Sequence, residues 1–131
     1  MQPTVIVLGA SADRSKFGNK AVRAFAHRGW RVIPVNPRGG MIEGLPVVTN
    51  LTEVPTAANV KPPVDAITVY LPPERSIPLL PGMAALHPKT IWFNPGAESR
   101  ELLDAAATLG LPVTAACSIV AIGLSPSQFP D

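Results

Sequence analysis

Hydrophobic positions fall along the chain in short dense blocks divided by turn-forming residues. Residues 4–9, TVIVLG, make a continuous apolar run, mostly β-branched and closed by glycine, the pattern of a strand covered on both faces. FGNKAVRAFAHRG comes next, with Val22, Phe25 and Ala26 at helical spacing and Gly29 as the stop. WRVIPVN then predicts a second strand. A strand, a helix and a strand within about 33 residues form one βαβ unit, which requires parallel pairing and a right-handed crossover.

The alternation continues downstream. DAITVYL (65–71), TIWFN (90–94) and LPVTAA (111–116) predict a third, fourth and fifth strand. ERSIPLLPGMAALH carries Pro78 and Pro81, so only a short helix is expected, with the prolines in its first turn or at a kink. SRELLDAAATLG is a stronger helix: Leu102, Leu103, Ala106 and Leu109 share a face, Ser99 caps it and Gly110 ends it. PTAANVKPPV (55–64) is expected to be a flexible loop and the terminal SPSQFPD to fray. There is no internal repeat, heptad or low-complexity tract.

Together these elements predict a Rossmann-like, doubly wound parallel α/β sheet of about five strands in three α/β/α layers, with strand order 3-2-1-4-5. Ligands of such sheets bind beyond the carboxyl ends of the strands, where the strand order reverses. The loops in question begin at Gly9, Asn36, Leu71, Asn94 and Ala115.

Length and composition narrow the class. A chain of 131 residues with 47% hydrophobic content is expected to form one domain, 1–131, around one core. The 16 prolines sit mostly at element edges, where a fixed φ lowers unfolded-state entropy. No apolar run reaches the ~18 residues of a membrane span, and the first strand begins too early for a signal peptide, so a cytoplasmic protein without membrane attachment is expected. A single cysteine, Cys117, excludes an internal disulfide and a multi-cysteine metal site. The net charge of +2 is too small to indicate nucleic acid. Its distribution is more telling: seven of the eleven basic residues lie in the first 38 positions, where Asp13 is the only acid. Arg23 and Arg28 read as the wet face of a helix, whereas Lys16 and Arg38 flank glycine-bearing loops and are candidate ligand cations.

After the first strand comes GASADRSKFG, a small-residue loop through which backbone amides can approach a phosphate, with the positive end of the next helix aimed at the same place. Gly9, Ala10 and Ser11, then Lys16 to Gly18, are spaced more widely than the G-x-G-x-x-G of a tight dinucleotide turn. After the second strand a dinucleotide site wants a carboxylate for the ribose hydroxyls. Asn36, Pro37 and Arg38 stand there instead, and arginine favours a phosphate on the ribose. NADP, with its 2′-phosphate, and coenzyme A, with its 3′-phosphate, both satisfy that requirement.

VLGAS…KFGNKAV, GWRVIPVNPRGGMIEGLPVVTNLTEVP, DAITVYLPPE, TIWFNPGAES and GLPVTAACSIV resemble the small stand-alone CoA-binding proteins and, more distantly, the CoA-binding domain of the succinyl-CoA synthetase α-subunit. The likeness runs from about Val5 to Ala121, and VIPVNPRGGMIEGLPV is its most specific part. The resemblance implies that Gly9, Ala10 and Ser11 lie along the pyrophosphate, with Lys16 or Lys20 supplying charge, and that Asn36, Pro37 and Arg38 meet the adenosine end with its 3′-phosphate. It further implies an apolar wall from Leu71 and Pro72, and a pantetheine exit bordered by Asn94, Pro95 and Gly96. Phe17 and Gly18 stand where many relatives have Pro-Ser, and the loop from Pro55 to Pro63 is longer than usual.

No catalytic residue emerges. The synthetases it distantly resembles pass a phosphoryl group through a histidine of a second domain, which is not expected here. His27 and His87 read as surface or helix-end residues. Cys117, after the fifth strand, is a candidate contact for the CoA thiol, against a plain reading as a small buried side chain. The expected function is binding of CoA or an acyl-CoA without catalysis, as carrier, sensor or synthetase-like module. The alternatives are a minimal NADP-dependent oxidoreductase and an interaction module with a vestigial nucleotide site. The sequence leaves the oligomeric state open, a C2 homodimer being a common assembly of small α/β domains with apolar helix faces.

Overall fold

The first two predicted strands, Thr4–Leu8 (β1) and Arg31–Val35 (β2), pair in parallel from Thr4 opposite Arg31 to Leu8 opposite Val35, with Phe17–His27 (α1) crossing between them. They are seen in a computed structural model that describes residues 2–131. A two-stranded hairpin, Met41–Ile42 (β3) with Leu45–Pro46 (β4), comes next. Ala66–Val69 (β5), Thr90–Phe93 (β6) and Val113–Ala115 (β7) then complete a parallel sheet in the order β2-β1-β5-β6-β7.

The five-stranded, doubly wound parallel sheet is as expected, but the placement of its third long strand needs correction. Counting the five long strands alone, the order is 2-1-3-4-5 in place of 3-2-1-4-5, because β5 pairs with β1 and not with the outer side of β2. Pro34 is the physical reason. Lacking an N–H, proline in a strand belongs at an edge, and the carbonyl of Pro34 is taken by Val48 N (3.0 Å) while Asn36 N donates to Val48 O (3.0 Å). The outer edge of β2 is therefore occupied by the chain leaving the hairpin, and the next strand must cross to the other side of β1. The strand order reverses between β1 and β5.

Alternation along β1 sends Val5 and Val7 to one face of the sheet and Ile6 and Leu8 to the other. The first face packs on α1, through Ala21, Val22 and Phe25, and on Ser118–Ala121 (α6), through Ile119. The second face is covered by Val54–Ala57 (α2), Leu80–Ala85 (α4) and Arg100–Thr108 (α5), with Pro73–Ser76 (α3) packed beside α5. Pro78 lies in the first turn of a 3-10 helix, Ile77–Leu79, and Pro81 in that of α4, so the prolines divide this stretch into short helices. Ser99 caps α5, its hydroxyl accepting from Leu102 N at 3.1 Å.

Three expectations about local order are revised. Leu109 lies past the end of α5 as its C-cap and is 49% exposed, so the apolar face is carried by Leu102 and Ala106. The 55–64 segment begins within α2 and is anchored by buried Val60 and Val64, with Val54 buried just before it. The terminal residues are tied down as well. Pro126–Gln128 forms a 3-10 turn with a capping box on Ser125, and α1 holds the last residues of the chain: Lys20 Nζ donates to Phe129 O (2.8 Å) and Arg23 Nη1 to Pro130 O (2.6 Å).

Two features set the geometry of the sheet's two ends. Gly18, in the first turn of α1, approaches the β1 loop so closely that a Cβ there would sit 2.4 Å from Gly9 O, at the carboxyl edge. At the other end of the sheet, Asp65 Oδ2 accepts from Thr4 N (2.8 Å) and its Oδ1 lies 3.2 Å from Lys89 Nζ. The Thr4 amide, then Lys89, hold the Asp65 carboxyl below its ordinary value.

Gly18→Ala places a methyl against backbone that cannot rotate away, so urea unfolding should show a loss of ~1–3 kcal/mol with an unchanged m-value. Asp65→Ala should cost about 1 kcal/mol at neutral pH, the modest value of a partly exposed charged hydrogen bond. Because the folded-state pKa of Asp65 is depressed, its contribution is complete above the ordinary carboxylate value of 3.8 and disappears as pH falls through the folded value. The gap between wild type and variant should therefore close in acid; a gap constant with pH would contradict the assignment.

Candidate ligand-binding cleft

Where β1 and β5 part, their loops enclose a cleft of about 940 Å³. Gly9, Ala10, Ser11 and Lys16 line it from the β1 side, Asn36, Pro37 and Arg38 from the β2 loop, and Leu71 and Pro72 from the β5 loop. A smaller cavity of about 470 Å³ shares Gly9, Ser11, Lys16, Leu71 and Pro72 with it and adds Phe17, Gly18, Pro95 and Gly96. The two cavities thus meet at the start of α1, and most residues singled out from sequence border one or both.

The loop after β1 is held by hydrogen bonds within the protein. Val35 O accepts from Gly9 N (3.2 Å) and Ala10 N (3.3 Å), and Asn36 Nδ2 donates to Ala10 O (2.8 Å). Gly9 turns with φ +87°, a conformation that favours glycine. The amides of Gly9 and Ala10 are therefore engaged by the protein. Among the described residues, those of Ser11, Ala12, Phe17 and Gly18 have no hydrogen-bond partner. Phe17 and Gly18 open α1, whose N-cap, Lys16, makes no side-chain cap and whose first turn holds no acid. Such an end presents free donors and a positive partial charge.

Asn36 occupies the position where a dinucleotide site would carry its acid, and it works on the protein's own backbone. Besides bonding Ala10 O, its Oδ1 accepts from Arg38 N at 2.8 Å, a turn that sets the direction of the arginine. Gly39 and Gly40 come next with φ of +64° and +80°. The hairpin supplies the adjoining wall through Met41 and Ile42. Its turn residue Glu43 is held by Arg14 Nη1 (2.7 Å) and by Asn19 Nδ2 (3.1 Å), and Asn19 also donates to Ser11 O (2.9 Å). Buried Asn19 thereby ties α1, the β1 loop and the hairpin together. Asp13 is the acid that lines the cleft; its Oδ1 accepts from the hydroxyl (2.6 Å) and amide (3.0 Å) of Ser15, which hold the carboxyl below its ordinary value.

Three residues expected at the site lie elsewhere. Lys20 is one helical turn past Lys16, and its amine is turned to Phe129 O and Asp131 of the terminal segment. Asn94 is buried, 2% exposed, and lines neither cavity. Its Nδ2 donates to Thr68 Oγ1 (2.7 Å) and Val69 O (2.9 Å), and its Oδ1 accepts from Ser118 N (2.8 Å), so it joins β5, β6 and α6 beneath the cleft. Cys117, half-buried as the N-cap of α6, packs against the α1 face of the core and borders neither cavity. The 55–64 segment borders neither cavity.

Several lining residues were not singled out from sequence: Met41, Thr49, Asn50, Tyr70, Arg75 and Leu79. Met41 had a visible signal, since MIEGLP is a two-residue hairpin turn between apolar pairs, closed by Glu43 and Gly44 at φ +49° and +78°. Tyr70 sits at the junction of the two cavities, and its hydroxyl lies 3.2 Å from Ser118 Oγ. Burial pushes the phenol pKa up to about 12, so it remains a neutral hydrogen-bonding group.

Solved structures share this architecture over nearly the whole chain. The cell-free ID.343 protein of Thermus thermophilus is 34% identical with a TM-score of 0.76, over 91% of this chain and 87% of that one. A conserved hypothetical protein of Pyrococcus furiosus is 26% identical with a TM-score of 0.75, over 92% and 99%. A hypothetical protein of Pyrococcus horikoshii, at 16% identity and TM-score 0.76 over 98% and 83%, is similar in fold. No curated protein matches the chain. The family profile described as a CoA binding domain matches residues 3–123, a span that takes in every strand of the sheet and both cavities, and the chain therefore belongs to the CoA-binding domain family.

Proposed function

We propose that the paired cavities hold one molecule of coenzyme A, free or as a thioester, and that the protein acts as a carrier or sensor without chemistry of its own. The observation that carries this is the start of α1: free amides at Phe17 and Gly18, no capping side chain, no acid in the first turn, and Lys16 lining both cavities. That combination suits a pyrophosphate. In this arrangement the larger cavity takes the adenosine end, with Arg38 beside the phosphorylated ribose, and the smaller takes the pantetheine arm past Phe17, Pro95 and Gly96.

The family supports a CoA ligand, and the positions of Asn36 and Arg38 agree with one. With both functional groups of its amide engaged by backbone, Asn36 does not replace the ribose-binding carboxylate of NAD sites. The binding reading draws on Lys16, Arg38 and Arg75 and on the free amides at the start of α1, groups suited to hold phosphate, while Asp13 of the lining is engaged by Ser15.

Titration calorimetry against CoA, acetyl-CoA, NADP and NAD tests the assignment. CoA or acetyl-CoA should bind more tightly than either dinucleotide, and Arg38→Glu should weaken that binding by ~1.5–3 kcal/mol or more, the worth of a hydrogen bond to a charged group. Acetyl-CoA incubated with the protein should release no thiol above background. Preference for NADP, or failure to bind any of the four, would overturn the proposal.

A further inference from the structure

The basic side chains of this protein fall into two groups. Arg14, Lys20, Arg23, Arg28, Arg31, Lys89 and Arg100 each have a carboxylate or carbonyl partner within the fold. Among the described residues, four have no side-chain partner: Lys16, Arg38, Lys61 and Arg75. Three of those four, Lys16, Arg38 and Arg75, line the same cleft. An unpartnered arginine on a surface is common, but three free cations converging on one concavity are a charge pattern for a polyanion.

Their positions differ in a useful way. Lys16 borders both cavities, at the open start of α1, whereas Arg38 and Arg75 border only the larger one. Arg75 enters from α3, on the β5 side, and Arg38 from the β2 loop, so the two guanidinium groups come from opposite banks of the cleft. The same cavity is also lined by the neutral side chains of Thr49, Asn50, Leu51 and Leu79. Asp13, the acid of the lining, belongs to the loop beside Lys16. A phosphate diester carries one charge and a phosphomonoester close to two near neutral pH. One lysine with a helix N-terminus matches the singly charged groups of a pyrophosphate, and two arginines match a dianionic monoester.

We propose that Arg75 is a second arginine for the phosphomonoester on the ribose, acting with Arg38, and that it determines preference for coenzyme A over dephospho-CoA. This rests on the assignment of the cleft to CoA. Among the described residues the Arg75 side chain makes no hydrogen bond or ion pair, and its backbone amide donates to Pro72 O (3.0 Å), a bond that a side-chain substitution leaves in place. Arg75→Gln should therefore melt at the wild-type temperature.

The experiment is calorimetric titration of wild type and Arg75→Gln with CoA and with dephospho-CoA at several salt concentrations. Wild type should prefer CoA. Arg75→Gln should lose about tenfold or more in CoA affinity, equivalent to ~1.4 kcal/mol, bind dephospho-CoA unchanged, and show a shallower salt dependence for CoA. A variant that keeps the wild-type ratio of the two affinities, whether both are retained or both weakened, overturns the role of Arg75 and leaves the cleft assignment standing. Wild type that binds neither ligand overturns the cleft assignment and this inference with it.

Discussion

A single carbonyl, that of Val35, receives the amides of Gly9 and Ala10 just past the point where β1 ends, and Asn36 returns a hydrogen bond to Ala10 O. These bonds continue the β1–β2 pairing beyond the strands and swing the β1 loop over toward β2. On its other side β1 stays with β5 only as far as Tyr70 N, which donates to Leu8 O. The chain therefore opens on one side of β1 and stays closed on the other, and the opening is the cleft. Its floor is made of groups already satisfied by one another, so the open backbone donors nearby are those of Ser11, Ala12 and the start of α1.

The opposite bank is held by a different device. Asn94, Thr68, Ser118 and Tyr70 form a connected set of hydrogen bonds across β5, β6 and α6, most of it buried. A buried amide with all its partners in place stabilises one arrangement, and loss of one partner leaves the others unsatisfied at ~1–3 kcal/mol each. The cleft thus lies between two rigid banks, and its unengaged donors and cations are carried on the loops and helix ends that those banks position.

Much of the fold was legible in the amino-acid sequence. β1, α1 and β2 arise from an apolar run, a helical repeat and a glycine stop, all local signals, and the loops at the strand ends are located by them. Strand order was harder, because it depends on which edge of β2 stays free, and the informative residue was Pro34, a local fact with a non-local consequence. The hairpin escaped notice because strands of two residues carry no periodicity. Lys20 and Asn94 show the limit of placing residues by element alone. Lys20 lies on the right helix but one turn too far along, where the terminal segment takes its charge. Asn94 ends the right strand but is drawn inward by Ser118, 24 residues later. Arg75 and Tyr70 line the cleft only because β5 lies beside β1, which the expected order did not provide.

The free cations at the cleft carry a thermodynamic consequence of their own. Lys16, Arg38 and Arg75 put three cations on one concave surface, with Asp13 beside Lys16 as the acid of the lining. Elsewhere Arg14 is paired with Glu43 of the neighbouring hairpin. The same chain pairs most of its other cations, and among the described residues it leaves the side chains of these three without a partner. Under the proposed assignment, a polyanion that binds only the folded state would raise apparent stability in proportion to the logarithm of its concentration over Kd. That open positive charge is then what the phosphates of the ligand would meet.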